Sequence, residues 1–170
     1  MRHGRPLVDP AAPPHTWPLD PAGFAALDAL RCSGRLPTGA TWFSSPEAKA
    51  RATAVRLTDR PVAVVDELAE QRRGTHWFDA PDEFTAAVRA AFDGPDERAV
   101  PGWEPLSATR ERVVRAARRL RSTHEGHLVL VGHGTAWTLL VAALTGRAPD
   151  LAAWERLAMP DVWVLDDAPE

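Results

Sequence analysis

The stretch HLVLVGHGTAWTLLVAALTG, residues 127–146, limits the folds open to this chain more than any other. Four β-favouring apolar residues, Leu128 to Val131, run into Gly132-His133-Gly134, and an apolar segment then continues to a second stop at Gly146. That order reads as a buried strand, a tight glycine turn, a buried helix and a glycine terminator. Strands that alternate with helices imply a mainly parallel sheet covered by helices on both faces. In such sheets ligands bind beyond the carboxyl ends of the strands, so functional residues are expected directly after strands.

The rest of the chain repeats this alternation. Asp20-Pro21 is an N-cap followed by proline at the first helical position, and Phe24, Leu27 and Leu30 continue at helical spacing to Ser33-Gly34. ATWFSS (40–45) reads as a strand, and Ser45-Pro46-Glu47 opens a helix that runs to about Arg56. PVAVVDEL (61–68) is apolar on both faces, which predicts an internal strand between helix layers. Residues 81–93 form a helix and 93–105 a loop punctuated by glycine and proline. A long helix over about 106–122 carries Val113, Val114, Ala117 and Leu120 as its apolar stripe. Arg110, Arg112, Arg115, Arg118 and Arg119 surround that stripe and read as a solvated face, with a docking surface as the less favoured alternative. DVWVLDD (161–167) is expected as a last strand, and the four prolines of 7–18 mark a loop.

At 170 residues the chain suits one domain with one core. With 45% hydrophobic residues and no apolar run near the ~18 that span a bilayer, a membrane is excluded as its home. A net charge of -3 supplies no basic field for nucleic acid. A lone cysteine, Cys32, cannot form an internal disulfide, and the start shows no leader, so a cytoplasmic location is expected. Of the 20 basic residues only Lys49 is a lysine.

Four stretches carry residues with chemical potential. His133 follows a strand, is flanked by two glycines and precedes a helix N-terminus, where backbone can approach an anion closely. Taken alone, it is more simply a turn histidine. The turn also resembles the G-x-S-x-G nucleophile elbow, but the nucleophile slot holds Gly134, which has nothing to acylate. RHG at 2–4 sets an imidazole beside a guanidinium. SSPEAKARATA (44–54) places a serine, Lys49 and Arg51 around a helix start, and ELAEQRRG (67–74) offers Glu67 and Glu70. Two histidines, cations and a carboxylate suffice for phosphomonoester hydrolysis without a metal or other cofactor. A neutral imidazole attacks phosphorus, arginines hold the charged oxygens, and a carboxyl raised in pKa protonates the leaving group.

Together these stretches resemble the histidine phosphatase superfamily, the phosphoglycerate mutase-like family. The likeness runs in order through RHG; Trp17, Leu19 and Gly23; Ser45, Pro46, Lys49, Ala50, Thr53 and Ala54; Leu68, Glu70 and Gly74; Gly102 to Pro105, echoing GGES; and GHG with its helix. The resemblance implies a three-layer α/β/α fold over residues 1–170. It implies His3 as the nucleophile that accepts the phosphoryl group, His133 as a second imidazole and Glu70 as proton donor. Arg2 and Lys49 would bind phosphate, Gly134 would offer a backbone N–H, and Arg5 is near enough to help. Glu67 is the fallback acid.

Lys49 stands where the family has an arginine, which leaves either a weaker lysine contact or one from Arg51. GTHWF after Glu70 departs from the family's G-x-W-E-G spacing, and Pro105 replaces the serine of GES. The family places RHG at the end of a central strand, whereas only Met1 precedes Arg2 here. A start taken at an internal methionine is the preferred explanation, and His3 is expected on a loose terminus beside a gap in the sheet. The implied activity is hydrolysis of a small phosphomonoester, with phosphohistidine on a protein as the runner-up substrate. Mutase-like phosphoryl transfer and a non-catalytic phosphate-binding role are the alternatives. Trp17, Trp77 and Arg72 are expected as core and surface residues, with a pocket wall as the second reading. The residues do not indicate an oligomeric state.

Overall fold

Thr41–Ser44 (β1), Val62–Val64 (β2) and Leu128–Val131 (β3) pair in parallel in the order β2-β1-β3. The computed structural model describes residues 1–74 and 77–165. Among them lie helices α1 Phe24–Cys32, α2 Ala48–Leu57, α3 Pro81–Asp93, α4 Leu106–Thr123, α5 Gly134–Thr145 and α6 Leu151–Glu155. This is the expected α/β architecture, and its two larger hydrophobic clusters lie on opposite faces of the sheet. On one face Leu27 and Leu30 of α1 and Ala50, Ala54 and Leu57 of α2 pack on Trp42, Val129 and Val131. On the other, Val113, Ala117 and Leu120 of α4 and Ala136, Trp137 and Leu140 of α5 pack on Phe43. Alternating strand residues therefore serve different layers, as the two-residue period of a strand requires.

The carboxyl ends of β1 and β3 lie side by side, because Ser44 registers with Val131 and the Ser45 N–H donates to the Val131 carbonyl at 2.9 Å. Residues 1–3 extend the sheet past β3. Gly132 N–H donates to the Met1 carbonyl and His3 N–H to the Gly132 carbonyl, each at 2.9 Å, while Arg2 N–H donates to Asp161 at 2.8 Å. The expectation of a loose terminus is therefore corrected: His3 is 5% exposed and the segment is held by isolated bridges from Arg2 to Gly132 and Asp161.

Four more expectations change. β2 lies at the end of the strand order among the described residues, with Val64 half-exposed, although its apolar run predicted an internal strand. The run is also shorter, since a 3-10 turn at Asp66–Leu68 ends it and turns the chain into the site. Of the strand expected over 161–167, Asp161 makes one bridge to Arg2, 162–165 join no ladder, and 166–167 lie outside the described residues. Helix α2 begins two residues beyond Pro46, so Ser45 is released from capping it. Arg112, expected in solvent, is buried on α4, where it pairs with Glu104 at 2.8 Å.

Candidate active site

The two histidines meet where the carboxyl end of β3 lies beside residues 1–3. Their rings approach edge to face with centroids 5.1 Å apart. His3 Nδ1 lies 2.6 Å from the Gly4 carbonyl. A carbonyl only accepts, so Nδ1 carries the hydrogen and the lone pair of the neutral ring is on Nε2. Burial, then the neighbouring His133, Lys49 and Arg2, push the His3 pKa well below its usual value despite the opposing Gly4 bond. His3 is thus a neutral imidazole with its reactive nitrogen defined. The Gly4 N–H donates to Thr53 Oγ1 on α2 at 2.9 Å, which fixes the segment from the helix side.

His133, 1% exposed, is the residue before α5, and its Nε2 lies 2.6 Å from Ser45 Oγ. With the serine hydroxyl donating to Nε2, the hydrogen of neutral His133 sits on Nδ1. That buried Nδ1 has no hydrogen-bond partner among the described residues, and neither does the buried Nε of Arg2. Burial lowers the His133 pKa to about 4 against the opposing pull of Glu47 and Glu70. The flanking glycines make room. A Cβ on Gly132 would lie 2.4 Å from the Trp137 ring, and one on Gly134 would lie 3.4 Å from Arg2 Nε. The Arg2 guanidinium thereby rests against the first turn of α5, where Nη1 donates to the Leu157 carbonyl at 2.8 Å.

Glu70 occupies the place expected to attract an anion. Its carboxylate accepts N–H bonds from Thr135 at 3.1 Å and Ala136 at 2.8 Å, the second and third residues of α5. Burial would raise its pKa, but Arg73, His133 and the Gln71 N–H prevail and hold it below the usual range. The resting carboxyl is thus ionised, contrary to the raised acid that proton donation suggests. Arg112 fixes this segment from behind, donating to the carbonyls of Glu67, Ala69 and Glu70 at 2.6–2.8 Å.

Sequence reading gave no site role to Arg73, Glu47 or Arg112, and took Ser45 as a helix cap and motif residue. Arg73 donates to Thr135 Oγ1 at 3.0 Å and its guanidinium stacks on Phe84 and Trp103, at 5.0 and 4.8 Å from their centroids. Lys49 is buried, with Nζ 2.6 Å from both the Pro14 carbonyl and Glu47 Oε2. Trp17 lies 5.9 Å from that Nζ and packs edge to face against Trp77, their centroids 6.2 Å apart. Other candidates are drawn elsewhere. Arg5 is 64% exposed and paired with Asp20 at 2.9 Å, Arg51 is exposed, and Glu67 pairs with Arg119 at 2.8 Å. In GTHWF, Thr75 and His76 lie outside the described residues.

A parallel α/β sheet with paired imidazoles, arginines and a carboxylate at its strand ends is the architecture of a phosphoryl-transfer enzyme. The chain belongs to the histidine phosphatase superfamily, branch 1, whose family model matches residues 1–165. Among solved structures, Bacillus stearothermophilus YhfR aligns with a TM-score of 0.70 at 23% identity, over 89% of this chain and 81% of that one. The α-ribazole phosphatase from Shigella flexneri aligns at 0.65 and 24% identity, over 92% and 82%. A mycobacterial glucosyl-3-phosphoglycerate phosphatase aligns at 0.64 and 24%, again over 92% and 82%. These likenesses are of fold. No curated protein matched the sequence. Among the described residues no helix is long and apolar enough to cross a membrane.

Proposed function

We propose that this protein hydrolyses a small phosphomonoester through a phosphohistidine on His3. The observation that carries this reading is the bond from His3 Nδ1 to the Gly4 carbonyl, which presents Nε2 of a neutral buried imidazole to the site. Nε2 attacks phosphorus as the bond to the leaving alcohol breaks. Arg2, Lys49 and the free Nδ1–H of His133 stabilise the oxygens, which carry the charge of the transition state. Glu70 gives the alcohol its proton. The proton enters with the substrate, because a charged phosphoryl group beside the carboxylate pushes its pKa back up. Water then attacks the phosphohistidine, the P–N bond breaks, and Glu70 takes up the water's proton.

The names of two similar structures, α-ribazole phosphatase and glucosyl-3-phosphoglycerate phosphatase, support a phosphate ester of a small hydroxylated molecule. Trp17 and Trp77 beside Lys49 would supply an apolar wall for such a leaving group.

Brief exposure to p-nitrophenyl phosphate, quenching and intact-mass analysis test the reading. An acid-labile phosphoryl adduct should form on the native chain and vanish in His3→Ala, with kcat falling at least ~1000-fold. Glu70→Gln should slow phosphorylation of His3 by an alkyl phosphate ~100-fold or more while barely affecting its phosphorylation by the nitrophenyl ester, whose leaving group needs no proton, and the adduct should persist because the variant lacks the base for water. Absence of both adduct and released phosphate would overturn the reading.

A further inference from the structure

Glu47 has no part in the mechanism above, yet it stands among the groups that mechanism uses. It lies in the turn between β1 and α2 and is 8% exposed. Its Oε2 accepts from Lys49 Nζ at 2.6 Å. Its Oε1 accepts the Glu70 N–H at 2.9 Å and faces His133 Nε2 at 3.5 Å. Burial favours the neutral acid, but His133 and Lys49 outweigh it and bring the pKa to about 2, so the group is an anion. The lysine that should hold phosphate is thus already neutralised by a carboxylate of its own chain.

Glu47 is not the only anchor of Lys49. Nζ also donates to the Pro14 carbonyl at 2.6 Å and lies 5.9 Å from the Trp17 ring, so the ammonium keeps its place from the loop side. A carboxylate that only positioned Lys49 would strengthen phosphate binding. One that competes for it would weaken binding, and the two roles have opposite signs.

We infer that Glu47 is an internal anion which holds Lys49 in the resting site, and that an incoming phosphoryl group binds by displacing it. The inference rests on the phosphatase reading for the identity of the incoming group. It makes Glu47 a determinant of affinity: only a ligand with enough charge on its phosphoryl oxygens to outcompete a carboxylate gains the lysine. Like charges a few ångströms apart in a partly buried site change affinity by on the order of tenfold or more.

The test is calorimetric binding of inorganic phosphate to the native chain, Glu47→Gln and Glu47→Ala. Both variants should bind phosphate at least ~10-fold more tightly. An unchanged or weaker affinity in variants that keep the native circular dichroism and melting temperature would overturn the inference. A second measurement uses the native chain alone. Lys49 is the only lysine, so 13C-lysine labelling gives a single side-chain Cε signal. That signal should move on phosphate saturation, and a signal that stays fixed while phosphate binds would also overturn it. Failure of the enzymatic reading is separable, since tighter phosphate binding without any adduct on His3 leaves the competition standing and removes only hydrolysis.

Discussion

Ser45 Oγ and His133 Nε2 lie 2.6 Å apart at the ends of the neighbouring strands β1 and β3. Eighty-eight residues separate them in sequence, and the parallel register of Ser44 with Val131 brings them together. A serine hydroxyl that donates to Nε2 leaves the hydrogen of the neutral second imidazole on Nδ1, which is buried without a partner among the described residues.

Ser45→Ala should lower kcat by about tenfold, the effect of one buried hydrogen bond of ~1.4 kcal/mol. The pH profile should change with it, because His133 would no longer be restricted to one tautomer. Steady-state kinetics from pH 5 to 9 check both, and an unaltered profile would remove the orienting role.

Arg112→Met should destabilise the protein by about 3 kcal/mol, since Glu104 would keep a partly buried charge without its partner and three carbonyls would lose a donor. Urea titration measures the loss. Activity should fall beyond what the unfolded fraction explains, because the same guanidinium holds the Glu70 main chain.

Stability should decline as pH falls from about 6.5 to 4. His133 has a folded pKa of about 4 against the usual 6.5, and that of His3 is also lowered. In that window the unfolded chain takes up protons that the folded site refuses, so ΔG of unfolding rises with pH and is lost on acidification. For His133 alone the change is about 3 kcal/mol. Denaturation midpoints at pH 4.5 and 7 test the sign, and His133→Gln should flatten the dependence.

Gly132→Ala should cost about 2 kcal/mol, because the new methyl meets the Trp137 ring at 2.4 Å. Trp137 also donates to the Met1 carbonyl, so its displacement loosens the segment that carries His3. Thermal melting should show the loss, and phosphoryl-adduct formation on His3 should slow.

Much of this arrangement is legible in the sequence. The strand, glycine turn and helix of 127–146 set the parallel α/β class. Motif order predicted that His3, His133, Glu70, Lys49 and Arg2 share one site, and the fold brings them together. These features depend on local periodicity and on residues that directly follow strands, both of which a linear sequence displays.

The partners of each charge emerged only from tertiary structure. Arg112 resembles its neighbours along α4, and burial against residues 67–70 separates it from them. Arg5 lies two residues from His3 yet pairs with Asp20. Glu47 reads as a helix-opening acid until the β1-β3 register sets it beside His133. The chain order fixes which residues are available. Whether a polar group faces water, a helix terminus or an opposite charge depends on contacts between distant segments, and those contacts decide its protonation and its chemistry.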